Sequence, residues 1–172
     1  MKKIIIAAAA LAAATTATSA SAQASRAVAN ANANARLLSP LALESRRGIN
    51  FGDIVMVNVT GDQTVSLDRL NGDIVCGTGG ALTCSGTRTT GEFRITGTQG
   101  QTVNVSLSQP SFALSGSNGG SLVFTPTIPA TVALGAPGPN ANLFTVGGSF
   151  VIGTSTRDGL YSGQIEVQVQ YQ

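Results

Sequence analysis

The sequence predicts an all-β domain, a sandwich or barrel of short antiparallel strands. Three observations carry this. Charged residues make up only 10% of the chain, while Gly, Ser, Thr, Val and Asn abound. Beyond Ala14 the apolar residues alternate with polar ones in short runs, the period of a half-buried strand and not of a helix. Gly-rich turn signals separate the runs at close spacing. A disordered chain is the competing reading, and regular apolar alternation argues against it.

In chain order, the first element is a targeting segment. Residues 1–22 read "MKKIIIAAAALAAATTATSASA", with Lys2 and Lys3 as a positive start, Ile4 to Ala14 as an apolar stretch and Ala20-Ser21-Ala22 as a small-residue cleavage signal. The apolar run is about 11 residues, well short of the roughly 20 that span a bilayer. The expectation is an exported protein starting at Gln23, in the periplasm, at the cell surface or outside the cell, with no membrane span after cleavage. An uncleaved membrane anchor is the alternative. These two lysines are the only ones in the chain. From Gln23 onward eight arginines face eight acids, so the net charge is zero. The basic pI belongs to the leader, and with no basic run or aromatic-basic interleaving, no nucleic-acid partner is expected.

Residues 23–38 form an arm, and 39–172 the domain proper. In the arm, "ANANANAR" (Ala29 to Arg36) alternates methyls with amides. As a strand over Ser25 to Leu37 it places Ala27, Ala29, Ala31, Ala33, Ala35 and Leu37 on one face, with Asn30, Asn32, Asn34 and Arg36 on the other. Five buried methyls contribute about 4 kcal/mol, against about 10–20 kcal/mol for ordering ten residues of backbone. The arm therefore needs a ladder of backbone hydrogen bonds along a preformed edge, its own or another chain's. Side-chain burial alone cannot order it.

Further on, Asn71-Gly72 is the turn of a candidate hairpin joining "TVSLDRL" to "DIVC". Cys76 and Cys84 bracket "GTGGALT" and are expected to form a disulfide, as an even pair does in an exported chain. "GEFRITG" and "QTVNVSLS" alternate as strands. Around Asn118-Gly119, a three-residue loop matches Leu114 with Leu122 and Phe112 with Phe124, better than a two-residue loop does. "APGPN" (Ala136 to Asn140) is a rigid loop, its two prolines excluding a central strand. Asp158-Gly159 is a two-residue hairpin signal. It sets Ile152 opposite Ile165, Phe150 opposite Val167, Gly148 opposite Val169 and Val146 opposite Tyr171, an apolar face backed by a nearly polar one.

Catalytic groups are scarce. Histidine is absent, and so is lysine after residue 22, which removes Ser-His-Asp chemistry and a lysine base or nucleophile. It also removes Lys–Asn crosslinks. The acids Glu44, Asp53, Asp62, Asp68, Asp73, Glu92, Asp158 and Glu166 are scattered; only a fold that drew two together would make a glycosidase-like pair. No catalytic residue, cofactor or metal is expected. "GTGGALTCSG" matches neither phosphate-binding glycine pattern, and Asn58-Val59-Thr60 and Asn104-Val105-Ser106 fit the short glycosylation sequon.

At "LSPLALE", "INFGDIV" (Ile49 to Val55) and "GLYSGQIEVQVQY" (Gly159 to Tyr171) the chain resembles domain of unknown function 4402, a group of secreted proteobacterial β-sandwiches. More loosely it is similar in layout to chaperone–usher pilins and spore-coat-U-like subunits. The pilin-like layout implies an immunoglobulin-like fold lacking one strand, completed by the N-terminal arm of a neighbour. It implies self-association or pairing with other pilus-like subunits, and a periplasmic chaperone. Pilin donor strands carry bulky inserted side chains, whereas these are mostly methyls. The expectation is a non-enzymatic, fimbrial-like surface subunit. The alternatives are a self-contained domain with the arm as its own first strand, and a secreted carbohydrate-binding or hydrolase domain.

Overall fold

The protein is described by a computed structural model covering residues 26–172. The expected leader, its cleavage signal and the first three residues beyond it lie outside the described residues. The chain divides into two units, residues 1–35 and residues 36–172.

The described residues hold thirteen strands and no helix. They are β1 (Ala42–Arg47), β2 (Asp53–Met56), β3 (Gln63–Leu67), β4 (Ile74–Cys76), β5 (Leu82–Ser85), β6 (Gly91–Thr96) and β7 (Thr102–Leu107), then β8 (Phe112–Gly116), β9 (Ser121–Thr127), β10 (Thr131–Ala133), β11 (Leu143–Ile152), β12 (Tyr161–Ser162) and β13 (Val167–Tyr171). All pairs are antiparallel. One sheet runs β1-β6-β11-β9-β8-β12, with β3 also on β11 and β4 on β3. A second sheet runs β10-β7-β13, and β2 pairs with β5. The all-β antiparallel architecture expected from alternation and turn spacing is thus the one observed.

Alternation builds the core directly. On β7, Val103 and Val105 are buried and Asn104 and Ser106 point away. Ile95, Val103, Val105, Leu134, Phe144 and Val146 form one apolar cluster. Val65, Leu82, Leu122, Phe124, Phe150 and Ile152 form another. The ten-residue β11 serves both. It pairs with β6 through Leu143–Val146, then with β9 and β3 from Gly147 onward. Gly147-Gly148 is the crossover: a Cβ on Gly147 would collide with the Leu67 carbonyl, and one on Gly148, at φ +152°, would lie 2.5 Å from Phe124 Cζ.

The Asn118-Gly119 hairpin has the register preferred from the sequence, with Leu114 opposite Leu122 and Phe112 opposite Phe124. Asn71-Gly72 lies in the loop joining β3 to β4. The C-terminal hairpin does not form. Phe150 and Ile152 pair with Val65 and Gln63 of β3, while Val167, Val169 and Tyr171 pair with Leu107, Val105 and Val103 of β7. Ile165 belongs to no strand. The period-two pattern fixes which face a residue takes, and Phe150 and Ile152 do face the core. It leaves open which of two equally alternating strands lies beside it. Gly153 to Leu160 is a loop between strands of different neighbourhood, and Asp158-Gly159 turns within it.

The arm joins no sheet of this single chain. No residue from Arg26 to Leu41 is in a strand, and all from Arg26 to Pro40 are exposed, Val28 at 73% and Leu37 at 88%. Ala27, Ala29, Ala31, Ala33, Ala35 and Leu37 therefore show no buried face. Methyls are too small to order a backbone by burial, in keeping with that exposure.

Candidate functional site

Two sheet edges lie along one side of the core. β1 and β13 are the outermost strands of two sheets that share a core containing Leu41, Leu43, Val167, Val169 and Tyr171. They flank the same side. The Tyr171 hydroxyl donates to the Ser39 carbonyl at 2.7 Å, joining the end of β13 to the approach to β1. On the opposite flank, Asn142 joins β10, β6 and β11: its Oδ1 accepts from Gly135 N–H at 2.7 Å and its carbonyl from Ile95 N–H at 3.0 Å. β1 and β13 run antiparallel to one another, because Tyr171 ends β13 where β1 begins.

Side-chain burial shows the gap. Central strands bury their inward residues: Ile95 on β6, Val103 and Val105 on β7, and Val146 on β11. Leu41 and Leu43 on one flank, and Val167, Val169 and Tyr171 on the other, face the same core and are only half-buried.

The backbone is open there too. Ser108 N–H bonds the Glu166 carbonyl and Gln172 N–H the Thr102 carbonyl. Alternation then directs Gln168 and Gln170 towards β7, and leaves Val167, Val169 and Tyr171 presenting N–H and C=O to the free edge. On β1 the same parity turns Leu43 and Ser45 outward. The two edges differ in protection. β1 carries Glu44, Arg46 and Arg47 and a register shift between Ser45 and Arg47, the devices that discourage strand addition. β13 reads "VQVQY", without charge, proline or bulge. Its edge is unguarded.

A three-residue clamp closes one end of this seam. Ser39 N–H donates to Thr98 Oγ1 at 2.7 Å, Thr98 N–H to Tyr171 Oη at 2.8 Å, and Tyr171 O–H to the Ser39 carbonyl. Gly97 makes room for it: a Cβ there would lie 2.6 Å from Tyr171 Oη and 2.7 Å from Leu41 Cδ2. Sequence reasoning singled out Tyr171 and missed Ser39, Gly97 and Thr98. The Ser-Pro step just before a strand was their only local signal.

Elsewhere the chemistry is local. Asp68 Oδ1 accepts from Leu70 N–H at 2.7 Å and Asn71 N–H at 3.2 Å, and Asn71 Nδ2 donates to Asp73 Oδ2, so these acids hold the β3–β4 loop. That loop borders an open depression of about 480 Å³ with Ser66 and Ser149. Among the described residues no group of three or more His, Cys, Asp or Glu is placed to hold a metal. Cys76 and Cys84 are bonded, their Cα atoms 5.9 Å apart, stapling β4 to β5. The bond is consistent with an oxidising, exported environment.

The family model described as Domain of unknown function (DUF4402) matches residues 41–171. The match begins at Leu41 and takes in β1 and β13, while the arm lies before it. Neither the search of curated proteins nor that of solved structures finds a match.

Proposed function

This chain belongs to the DUF4402 family, and on that footing we propose that it is an exported, non-enzymatic structural protein of the cell surface that works by strand pairing. The free edge of β13 takes an added strand, and the arm, Ser25 to Leu37, is the segment built to supply one. The observation that carries this reading is the unguarded β13 edge over half-buried Val167, Val169 and Tyr171. An alternating arm whose described residues are all exposed supports it. An added strand extends the ladder of β10-β7-β13 with backbone bonds, and its methyl face allows close approach to Leu41 and Leu43. In a fibre the donors are other pilin-like subunits, with a periplasmic chaperone guarding the edge beforehand.

The test uses a chain of residues 23–172 whose own arm is disabled by Asn30→Pro and Asn34→Pro, and a labelled peptide of residues 25–37. Saturable binding is expected. Val169→Pro in the same chain, which removes an outward N–H, should weaken binding by about tenfold or more. Equal binding with and without Val169→Pro overturns β13 as the acceptor.

A further inference from the structure

We infer that the outer face of the sheet, over β4-β3-β11-β9-β8, is a weak stacking surface for the same face of a second copy of this chain. This surface is separate from the β13 edge and does not involve the arm. Inward, its strands bury Val65, Leu122, Phe124, Phe150 and Ile152. Outward, the period of two leaves only short side chains. One cross-strand row runs Val75, Ser66, Ser149, Thr125. In the next row Thr64 lies opposite Val151, and Val123 opposite Ala113. The β9–β11 register, carried one step past Phe150–Phe124, joins those two pairs. Both rows consist of Ser, Thr, Val and Ala alone. Val75, Val123 and Val151 are 60%, 61% and 44% exposed.

Charge is missing from the face. β3, β4, β8, β9, β11 and β12 contain no Asp, Glu, Lys or Arg. On its other wing the same sheet does turn charge to solvent, where Glu44 of β1 pairs with Arg94 of β6. Asp68, Arg69 and Asp73 stand at the rim, in the β3–β4 loop beside Ser66 and Ser149. An uncharged centre with charge kept to its rim is the composition of a protein interface.

The same composition selects the occupant. Without charge the face has no hold on a nucleic acid, an anionic membrane or a charged peptide. It has no aromatic ring on which a base or sugar could stack. Sheets twist, so a flat crystalline surface does not match it. A second sheet of the same twist does: such faces stack about 10 Å apart, with strands within about 30° of one another. The same face on another copy has that twist and the same lack of charge, so stacking leaves no unpaired charge on either side. Its short side chains lose little rotamer freedom on burial. A face packed on itself is isologous and closes as a two-fold dimer.

Size sets the strength. The two rows offer well under the roughly 20–30 residues a side of a standard interface. A Kd of about 0.1–1 mM is therefore expected, a contact populated where copies are crowded.

The test uses residues 23–172 carrying Asn30→Pro and Asn34→Pro, so that the arm does not contribute. Sedimentation equilibrium and methyl NMR follow this chain from about 0.02 to about 2 mM, a range that brackets the expected Kd. A reversible monomer–dimer equilibrium is expected, with methyl signals of Val75, Val123 and Val151 shifting as it fills and those of Val167 and Val169 unmoved. Val123→Glu and Val123→Lys, at an exposed position, should each weaken self-association about tenfold or more, through like charges facing across the two-fold. An equimolar mixture of the two should restore association as a heterodimer. Thr125→Glu with Thr125→Lys repeats the test in the neighbouring row. A chain that stays monomeric throughout overturns the inference. So does a dimer indifferent to these charges, which uses another surface. Failure of both mixtures to associate, with every variant unfolding as cooperatively as its parent, overturns the isologous stack. None of these results bears on the β13 edge as an acceptor of strands.

Discussion

At the scale of single residues, two glycines separate space from conformation. Gly97 lies outside the left-handed region, yet a Cβ there would press on Tyr171 Oη, Leu41 Cδ2 and, at 3.0 Å, Leu134 Cδ1. Gly97→Ala should cost about 1–3 kcal/mol, through forced displacement of close-packed neighbours. Gly48→Ala is the control: nothing lies within 4 Å of its Cβ, so it should be neutral or stabilise by up to about 1 kcal/mol. Urea unfolding of both variants checks the contrast. Ile95, 1% exposed, marks the other extreme; Ile95→Val should cost about 0.5–1.5 kcal/mol in the same assay.

At the scale of elements, β13 offers a parity test. Gln168 bonds to β7 and Val169 faces the free edge. Gln168→Pro deletes a ladder bond and should cost about 3 kcal/mol or more, while Val169→Pro should cost about 1 kcal/mol. Thermal unfolding that ranks them the other way would mean the edge is assigned to the wrong side. The staple between β4 and β5 is the second element-level device. Its chain separation of 8 residues gives a loop-closure contribution of about 2–3 kcal/mol. Reduction should lower the urea midpoint accordingly. It should free β2 and β5 first, since their sheet has only two strands and such a pair is marginal alone.

At the scale of the whole molecule, stability rests on packing and backbone pairing more than on charge. Two ion pairs bind the described residues, Arg94–Glu44 at 2.6 Å and Arg47–Glu92 at 3.6 Å, each with at least one side chain about half exposed. Raising salt from about 0.05 to about 0.5 M should therefore change unfolding free energy by less than about 1 kcal/mol. Assembly through a backbone ladder should be equally indifferent to salt, which sedimentation can check. The all-β class, the inward faces of β6, β7, β8, β9 and β11, and the register of the Asn118-Gly119 hairpin were legible in the order of residues. Each follows from period-two alternation and turn chemistry, which act between near neighbours. Which strand lies beside which was not legible. Phe150 and Val167 alternate as if made for each other, yet each pairs with a different neighbour within its own sheet, on β3 and β7. The clamp was hidden for the same reason: Ser39, Thr98 and Tyr171 meet only after two sheets have stacked. Local pattern assigns a residue to a face. Neighbours far apart in sequence are settled by the competition among many equally patterned strands to bury a shared core, and that competition left β13, like β1, at a sheet edge.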